Sequence, residues 1–385
     1  MKKVVFVSTF TGYDKDRPIY YPGTDGFFLF GMGQFIAQEF KKRNYPVIFE
    51  IWRMDLRIET VMEKEIDGVL CRIFPSKKTW LFDEMSEQIK KAFRKSNKEK
   101  DVIFHFIPNH RKNYFYLANI IRKKTIVATH IGGPNPYWAY KNEKKWKFYI
   151  WYILEKYLLL KPFNSFIAIS KEEVLYYKKV KKNILHIPFF GISRENLFTN
   201  KDKTEAKIKL GLPLNKKILL QVGRAIDARG FDWIMHLIDH YKSKKDYFLL
   251  FVGVDKEDEY YDRLNQKSVS IISYIDQTLL GDYFNAADIL YYLPHGKMDL
   301  AFAGTSYVPL EALACGTPVV ASTLHHFPGN DVGKVSRRPK CKEDVIPMIE
   351  DLLNAEVSRQ LCRDVVLKEF SWDKVIEKHW EKYNV

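Results

Sequence analysis

Short apolar runs alternate with helix-length amphipathic segments along both halves of the chain. The runs are rich in Val, Ile and Phe and mostly lack polar alternation, which is typical of strands in a sheet buried on both faces. The pattern predicts strands at Lys3–Ser8, Pro46–Ile51, Val69–Phe74, Val102–Phe106, Thr125–Thr129, Ser165–Ile169, Ile184–Pro188, Lys217–Val222, Tyr247–Val252, Ser268–Ile272, Ile289–Tyr292 and Pro318–Ala321. It predicts helices at 28–43, 83–97, 111–122, 142–160, 171–180, 230–242, 257–265, 277–286, 305–314, 343–354, 356–368 and 372–383. Strand and helix in this repeated order predict a doubly wound, parallel α/β sheet in each half.

The alternation is interrupted at 193–208, where the chain is polar and charged and predicts a linker. A length of 385 residues exceeds what one core usually supports, so we expect two domains, 1–198 and 199–370. Ligands of open α/β sheets bind at the carboxyl ends of the strands, often at a topological switch point. Candidate chemistry is therefore expected in the segments that follow strands.

Composition excludes several classes of protein. Hydrophobic residues make up 46% and charged residues 28%, as in ordinary globular proteins. No run of about 18 apolar residues predicts a transmembrane helix. The start of the chain is interpreted as a strand and not as a signal peptide. Four cysteines without paired spacing argue against a disulfide framework or a zinc site and favour a reducing compartment, so the expected location is the cytoplasm.

Charge is distributed unevenly between the halves. Residues 1–200 hold 36 Lys and Arg against 20 Asp and Glu, a net charge of +16, while residues 201–385 hold 26 against 27, a net charge of −1. The excess points to an anionic partner for the first half: nucleic acid, an anionic membrane surface or an anionic substrate.

The segment SYVPLEALACGTPVVAS, at 306–322, carries the strongest motif. Glu311 is a single carboxylate in an apolar helix, which Gly316 would end before a buried strand. One interpretation of Glu311 is a capped or ion-paired helix residue. The other is a carboxylate that accepts hydrogen bonds from two ribose hydroxyls of a nucleotide.

LEALACGTPVVAS resembles the donor-site helix of retaining GT-B glycosyltransferases, the glycogen-synthase-like and mannosyltransferase-like group called family 4. QVGRAIDARGFDWI resembles the first strand and loop of that family's C-terminal domain, and FLLFVG, IISYI and FNAADILYYLP resemble its later landmarks in order and spacing. FIAISKEE with ILHIPFFGI resembles the end of its N-terminal domain. The resemblance implies two Rossmann-like α/β domains that face each other across a cleft. It also implies a terminal helix, 371–385, that crosses back to the N-terminal domain.

The resemblance assigns roles to residues of the second half. Arg224 and Arg229, in the loop that begins at Gly223, occupy the positions that hold the donor diphosphate. Two guanidinium groups can form charge-assisted bonds to phosphate and stabilise the leaving diphosphate without a metal. Glu311 would bind the ribose. Backbone N–H groups of Gly304, Thr305 and Ser306 would bind the β-phosphate, and Tyr274 and Ile275 would contact the base.

The chain departs from the family pattern at one position. The family has a second Glu eight residues before the ribose-binding Glu, and Ala303 stands there. Asp299 is a candidate substitute for the missing sugar-binding carboxylate, and His295 is another polar residue of that loop. Donor-sugar identity is therefore left open by the sequence.

Candidate residues of the first half lie after predicted strands. Gly23 and Gly26 resemble the family's glycine loop, which lets backbone approach the donor phosphates and the acceptor, although many glycine loops are simply turns. His130 stands at the family's histidine position near the reacting sugar. His105 is interpreted as part of the core or of a cleft wall.

The basic first half has two clusters. One is the helix predicted at 83–97 with its tail, and the other is 141–163, where aromatic residues are interleaved with lysines. One interpretation of the second cluster is a buried helix with a charged start. The other is a contact with the headgroup region of an anionic bilayer.

These features predict a retaining, metal-independent glycosyltransferase that moves a sugar from a nucleoside-diphosphate sugar, UDP- or GDP-linked, to a glycan or lipid-linked acceptor. No cofactor and no metal are expected beyond the nucleotide sugar as co-substrate. Expected partners are the acceptor and an anionic membrane surface, which would place the protein peripherally on the inner face of the membrane. The alternative is a non-catalytic, nucleotide-binding GT-B partner subunit, because of Ala303.

Other classes fit the sequence less well. No helix-turn-helix, RNA-binding signature or zinc spacing favours a nucleic-acid-binding protein. No distinctive pattern favours an epimerase or a pyridoxal-type phosphorylase.

Overall fold

The protein folds into two compact units, seen in a computed structural model. The structure describes residues 2–8, 32–66, 68–79, 85–107, 112–129, 146–169, 171–178, 183–187, 191–192, 198–265, 269–273, 275–295, 307–323 and 331–384. The first unit comprises the described parts of Met1–Ile131, Asn135–Phe190 and Val375–Val385, and the second comprises those of Gly191–Lys374.

The first unit is built on an eight-stranded sheet. Its strands are β1 (Lys2–Ser8), β2 (Val47–Asp55), β3 (Met62–Ile66), β4 (Val69–Pro75), β5 (Val102–Phe106), β6 (Thr125–Thr129), β7 (Ser165–Ala168) and β8 (Ile184–His186). They lie in the order β3-β4-β2-β1-β5-β6-β7-β8, and all neighbours are parallel except β3 and β4. The chain adds strands on one side of β1 and then returns to place β5 on its other side. The topological switch of this sheet is therefore between β1 and β5.

Helices cover both faces of the first sheet. They are α1 (Met32–Lys42), α2 (Glu87–Ser96), α3 (Lys112–Ile120), α4 (Trp146–Leu154) and α5 (Lys171–Tyr177), and a π-helical turn, Glu155–Leu159, continues α4. Val5, Val7 and Phe104 face a core shared with α2, α3 and α5. Alternate strand residues such as Phe6 and Phe49 face α1 on the other side, because successive side chains of a strand point to opposite faces.

The second unit repeats this plan with six parallel strands. They are β9 (Lys217–Val222), β10 (Tyr247–Val252), β11 (Ser270–Ile272), β12 (Ile289–Tyr292), β13 (Val319–Ala321) and β14 (Ser336–Arg337), in the order β11-β10-β9-β12-β13-β14. The helices are α6 (Lys203–Lys209), α7 (Phe231–Tyr241), α8 (Tyr261–Asn265), α9 (Gln277–Ala286), α10 (Val308–Ala314), α11 (Val345–Asn354), α12 (Arg359–Phe370) and α13 (Trp372–Tyr383). The switch of this sheet is between β9 and β12. The predicted α/β class with two doubly wound sheets is confirmed.

The last helix, α13, joins the first unit from Val375 onward. Tyr383 is fully buried beside Phe49 and Phe40 of that unit, and Trp380 contacts Phe40 at 6.3 Å between ring centroids. Lys2 donates a hydrogen bond to the backbone carbonyl of Tyr383 at 2.8 Å. The end of the chain therefore completes the core on the α1 face of the first sheet.

Three elements differ from the sequence prediction. The predicted linker at 193–208 contains the start of α6, whose N-terminus is capped by the carboxylate of Asp202. Its lysines bind Asp282 and Asp288, so ion pairs rather than an apolar stripe hold this helix. The antiparallel strand β3 and the short strand β14 were not predicted, because β3 is mostly polar and β14 has two residues.

The predicted domain boundary at 198/199 and the extent given for the terminal helix stay predictions. No helix in the described parts of the chain is both long and apolar enough to cross a membrane.

Candidate functional site

The carboxyl edge of the second sheet gathers the polar residues that the sequence singled out. β9 and β12 are neighbours there, and both lead into loops that carry candidate residues. Strand order reverses at this point, so the two loops leave the sheet in opposite directions and open a crevice.

Two glycines shape the loop after β9. Gly223 has φ +113°, and a Cβ atom placed on it would lie 3.8 Å from Cζ of Arg229. Gly230 has φ +75°, and a Cβ there would lie 2.0 Å from the carbonyl oxygen of Leu293. A side chain at Gly230 would therefore push the β9 loop away from the end of β12.

Arg224 is held by a buried carboxylate from the next loop. Its Nε donates to Oδ1 of Asp258 at 2.8 Å, and the backbone N–H of Ala225 donates to Oδ2 at 2.8 Å. Burial would raise the pKa of Asp258, but the hydrogen bonds from Ala225 and Arg224 outweigh it and the pKa is lowered. The Asp258 side chain is fully buried, whereas that of Arg224 is 65% exposed. Nε of Arg224 is thus fixed while most of its guanidinium faces solvent.

Arg229 is held from the other side of the switch point. It ends a short 3₁₀ turn, Asp227–Arg229, and its Nη1 donates to the hydroxyl of Tyr292 at the end of β12. Its Cζ lies 5.3 Å from the centroid of the Tyr292 ring, within the range of a cation–π contact. Arg224 is therefore oriented by a side chain of the loop after β10, and Arg229 by a side chain of β12.

The segment after β12 is fixed against the start of α7. The ring of His295 stacks on that of Trp233, with 4.2 Å between centroids and 8° between planes. Its Nδ1 lies 3.2 Å from the carbonyl oxygen of Leu293, and its Nε2 lies 3.4 Å from a carboxylate oxygen of Asp232. His295, one of the polar residues considered for sugar recognition, is thus positioned at the rim of this edge.

Glu311 lies in the first turn of α10, between β12 and β13. Its side chain is half-buried, yet enough protein surrounds the carboxyl group for burial to raise its pKa to about 7. No hydrogen bond or ion pair reaches this carboxyl from the part of the chain that the structure describes. A desolvated carboxylate of this kind is destabilising for the fold and suited to accepting bonds from a ligand.

The C-terminal end of α10 is anchored by two arginines of α12. Arg359 donates to the carbonyl oxygen of Cys315 at 2.7 Å, and Arg363 donates to that of Ala314 at 2.6 Å. Cations are favourable at this end of a helix, where carbonyl groups lack intrahelical partners. These bonds fix the helix that carries Glu311.

Several predicted site residues lie outside the described residues, namely Gly23, Gly26, His130, Tyr274, Asp299, Gly304, Thr305 and Ser306. Ile275 is half-buried just after β11, at the same carboxyl edge as Gly223. The structure thus brings Gly223, Arg224, Arg229 and Ile275 to one edge of the second sheet. The roles given to all of these residues, and to Glu311, stay predictions.

His105 belongs to the core of the first unit. It is fully buried in β5, with Nδ1 2.7 Å from the Tyr383 hydroxyl and Nε2 2.6 Å from the Thr129 hydroxyl. Burial, with a smaller effect from His379, holds the pKa of His105 well below its ordinary value. A neutral His105 therefore links the end of β6 to the terminal helix.

Sequence reasoning missed two residues of the site. Asp258 was one acid among several in the run DKEDE, and only its burial under the β9 loop distinguishes it. Tyr292 was assigned to a strand, with no sign that it would meet Arg229. Their partners lie 34 and 63 residues away in sequence, so no local signal could have found these contacts.

A comparison with known protein families matches the part of the chain that contains this site. The family described as "Glycosyl transferases group 1" matches residues 202–330. This segment is similar to the glycosyl transferases group 1 family. It contains Gly223, Arg224, Arg229 and Glu311, and the crevice at the switch point lies within it.

One curated relative is the lipopolysaccharide core biosynthesis mannosyltransferase LpsB of Rhizobium meliloti (strain 1021). The similarity amounts to 28% identity over 178 residues, which is 44% of this chain and 48% of the relative. The match thus spans about half the length of the curated relative.

Solved structures resemble the whole chain in fold. They include a sucrose-phosphate synthase from Thermosynechococcus elongatus, with a TM-score of 0.67, 17% identity and coverage of 100% of this chain and 98% of that one. They also include Anabaena Alr3699/HepE in complex with UDP-glucose, with a TM-score of 0.63, 13% identity and full coverage of both chains. At such identities the likeness shows the fold alone, which is the GT-B fold with two Rossmann-like sheets.

Proposed function

We propose that the protein is a glycosyltransferase that transfers a sugar from a nucleoside-diphosphate sugar to a glycan or lipid-linked acceptor. The observation that carries this proposal is the pair of guanidinium groups held at the switch point of the second sheet. Asp258 fixes Arg224 and Tyr292 fixes Arg229, so the two cations are oriented before a ligand arrives. Such preorganised cations suit a diphosphate, which offers several anionic oxygens.

In the proposed complex the donor binds mainly to the second unit. Arg224 and Arg229 bind the diphosphate, Glu311 accepts hydrogen bonds from the ribose, and Tyr274 and Ile275 contact the base. Backbone N–H groups of the 304–306 segment bind the β-phosphate, and the backbone at Gly23 and Gly26 contacts the donor phosphates.

The proposed reaction relies on positioning and on charge stabilisation. As the bond between the sugar and the phosphate breaks, negative charge develops on the leaving diphosphate, and the two arginines stabilise it. We propose that this occurs with retention of anomeric configuration and without a metal. His130 contacts the reacting sugar or the acceptor, and Asp299 takes over sugar recognition from the residue replaced by Ala303.

The donor site is tested by thermal shift with UDP-, GDP- and ADP-linked sugars and the free diphosphates. A ligand at 100 times its dissociation constant should stabilise the wild type by about 2.7 kcal/mol. Arg224→Ala and Arg229→Ala should each weaken binding about 10- to 100-fold, as expected for the loss of one charge-assisted contact. Arg337→Ala is the matched control, since Arg337 also pairs with one carboxylate, that of Asp351, in the same unit.

A second candidate is a non-catalytic partner subunit that binds a nucleotide. Ala303, which stands where the family has a carboxylate for the donor sugar, favours it. The two candidates differ in turnover of the identified nucleotide sugar. Release of free nucleoside diphosphate, with or without added acceptor, supports the enzyme. Binding that depends on Glu311 with no release under any condition supports the partner subunit.

We propose further that the first unit takes the acceptor and contacts an anionic membrane surface. Support comes from the net charge of +16 in residues 1–200. This would make the protein a peripheral membrane enzyme of polysaccharide or glycolipid synthesis on the cytoplasmic side.

A further inference from the structure

Four helices of the first unit lie on one side of its sheet. Ile89 and Phe93 of α2, Tyr114 and Phe115 of α3, and Tyr177 of α5 share one core, and Tyr152 of α4 packs against it. The helices are close neighbours within this layer: Nζ of Lys90 on α2 lies 5.1 Å from the ring centroid of Tyr116 on α3. The helix of the first basic cluster and the described part of the second cluster therefore lie in one layer.

The outer side of α4 and its π-helical turn is apolar and exposed. Trp146 is 74% exposed, Tyr157 and Leu158 are each 60% exposed, and Tyr149 and Ile150 are each 46% exposed. Spacings of three, four and seven residues place Trp146, Tyr149, Ile150 and Tyr157 along one side of the helix. We call Trp146, Tyr149, Ile150, Tyr157 and Leu158 the α4 strip.

Cations accompany the strip on the same layer. Lys91, Arg94 and Lys95 are exposed on α2, and Arg122 and Lys123 are exposed just after α3. The one acid of α2, Glu87, is bonded to Lys90 at 2.6 Å, and the sequences of α3 and α4 contain no acid. The layer thus combines exposed apolar side chains on α4 with exposed cations on α2 and just after α3, and its acids outside α2 lie in the π-helical turn, Glu155, and in α5, Glu172 and Glu173.

We infer that the α4 strip and the cations of α2 form one docking face for an anionic lipid bilayer. Trp and Tyr side chains favour the headgroup level, Ile150 and Leu158 suit the acyl boundary below it, and lysine and arginine attract anionic headgroups. The inference rests on the membrane contact proposed above and names its surface. A protein partner would have to be acidic around an apolar centre, whereas an anionic bilayer supplies both properties everywhere on its surface.

The test is sedimentation of the full chain with vesicles of phosphatidylcholine alone or of phosphatidylcholine with about 30% phosphatidylglycerol. Wild type should bind the anionic vesicles only. Lys91→Gln/Arg94→Gln/Lys95→Gln should weaken binding on the order of 100-fold, and Trp146→Ser/Tyr157→Ser should abolish it. Ile208→Ser/Leu214→Ser is the matched control, since both residues are exposed in the second unit, and it should bind like wild type.

Several outcomes would overturn the inference. These are no binding by wild type, equal binding to both vesicle types, or unchanged binding by both variants of the face. Another is a wild-type dimer that Trp146→Ser/Tyr157→Ser dissociates in sedimentation velocity, because a second copy would then occupy the strip.

Thermal shift with the nucleotide panel on the same samples keeps the two proposals apart. Loss of vesicle binding with intact nucleotide binding bears on the docking face alone. Vesicle binding without any nucleotide binding bears on the proposed enzyme alone.

Discussion

The two units share a doubly wound plan, and the crevice of the second unit uses its charged residues differently from the α2–α4 layer of the first. In the second unit, buried carboxylates collect cations from distant segments: Asp258 binds Arg224, and Asp282 binds Lys201 and Lys209. In the first unit, the cations of α2 are exposed, and α3 and α4 carry no acid to pair with them. The same doubly wound sheet therefore supports a preorganised crevice in one unit and a charged outer surface in the other.

This difference makes the expected consequences of removing charge opposite at the crevice and on the surface of α2. A buried carboxylate that accepts several hydrogen bonds contributes to stability, because its loss leaves buried donors without partners. An exposed cation without a partner contributes almost nothing to stability and acts through its long-range field. Four variants, taken from the largest expected effect to the smallest, test how buried and exposed ionisable groups contribute to stability.

Asp258→Ala should give the largest loss, about 3 kcal/mol in the free energy of unfolding. It removes the acceptor for Arg224 and for the N–H groups of Ala225 and Asp255. Urea denaturation at pH 7 measures it. Asp351→Ala, which breaks the exposed pair with Arg337, should cost less than about 1 kcal/mol. Equal losses in the two variants would show that Asp258 is no special anchor.

Glu311→Gln should stabilise the protein by on the order of 2 kcal/mol at pH 8 and by little at pH 4.5. Burial raises the pKa of Glu311 in the folded protein to about 7, from an ordinary value of 4.5. As pH rises from 4.5 to 7 the unfolded chain therefore loses this proton before the folded protein does, and the wild type loses stability. Unfolding at the two pH values measures the difference. A stabilisation that does not change with pH would contradict a buried, ionisable Glu311. If the proposed ribose contact holds, the same variant weakens nucleotide binding.

His105→Gln should cost about 1 to 2 kcal/mol at pH 7 and less at pH 5. The lowered pKa of His105 means that its contribution is present above about pH 6.5 and is lost as pH falls, since the unfolded chain then binds the proton. Urea denaturation at both pH values measures how far the difference in unfolding free energy between wild type and variant decreases. Tyr383→Phe removes a hydrogen-bond partner of His105 but leaves the imidazole in place. The loss of unfolding free energy in this variant should therefore stay nearly constant with pH. A parallel pair of pH profiles for His105→Gln and wild type would refute the assignment.

Lys91→Gln/Arg94→Gln/Lys95→Gln should change the free energy of unfolding by less than about 0.5 kcal/mol. These side chains are exposed, and no described ion pair involves them. Calorimetry of the variant beside wild type provides the measurement. A loss of several kcal/mol would mean that the cations of α2 hold the fold, as those bound to Asp282 do in the second unit.

Most elements could be predicted because their signals are local. Continuous apolar runs such as VIFHF and KILLQV matched β5 and β9 residue for residue. Elements with a polar sequence failed: α6 lies in the predicted linker, and β3 has the pattern MEKEI. The Asp67-Gly68 pair after β3 was an unused signal, since such pairs favour tight hairpin turns. Polar elements depend on partners elsewhere in the chain, so their own composition says little.

The residues of the candidate site likewise divide into those that the sequence identified and those that it did not. Arg224, Arg229 and Glu311 could be named from the sequence, because the motifs that carry them are contiguous. Asp258 and Tyr292, which orient the two arginines, could not, because each contact joins segments that meet only after the sheet has formed.

The sequence by itself determined the order of strands and helices, the two-sheet class and the positions of the residues with candidate chemistry. Periodicity and turn residues act over a few positions, so one segment carries enough information for each of these. Only the tertiary structure decided which carboxylates are buried under which arginines, and that α2 and α4 share one layer. Those outcomes depend on strand order and on the burial of segments distant in sequence, which no local pattern encodes.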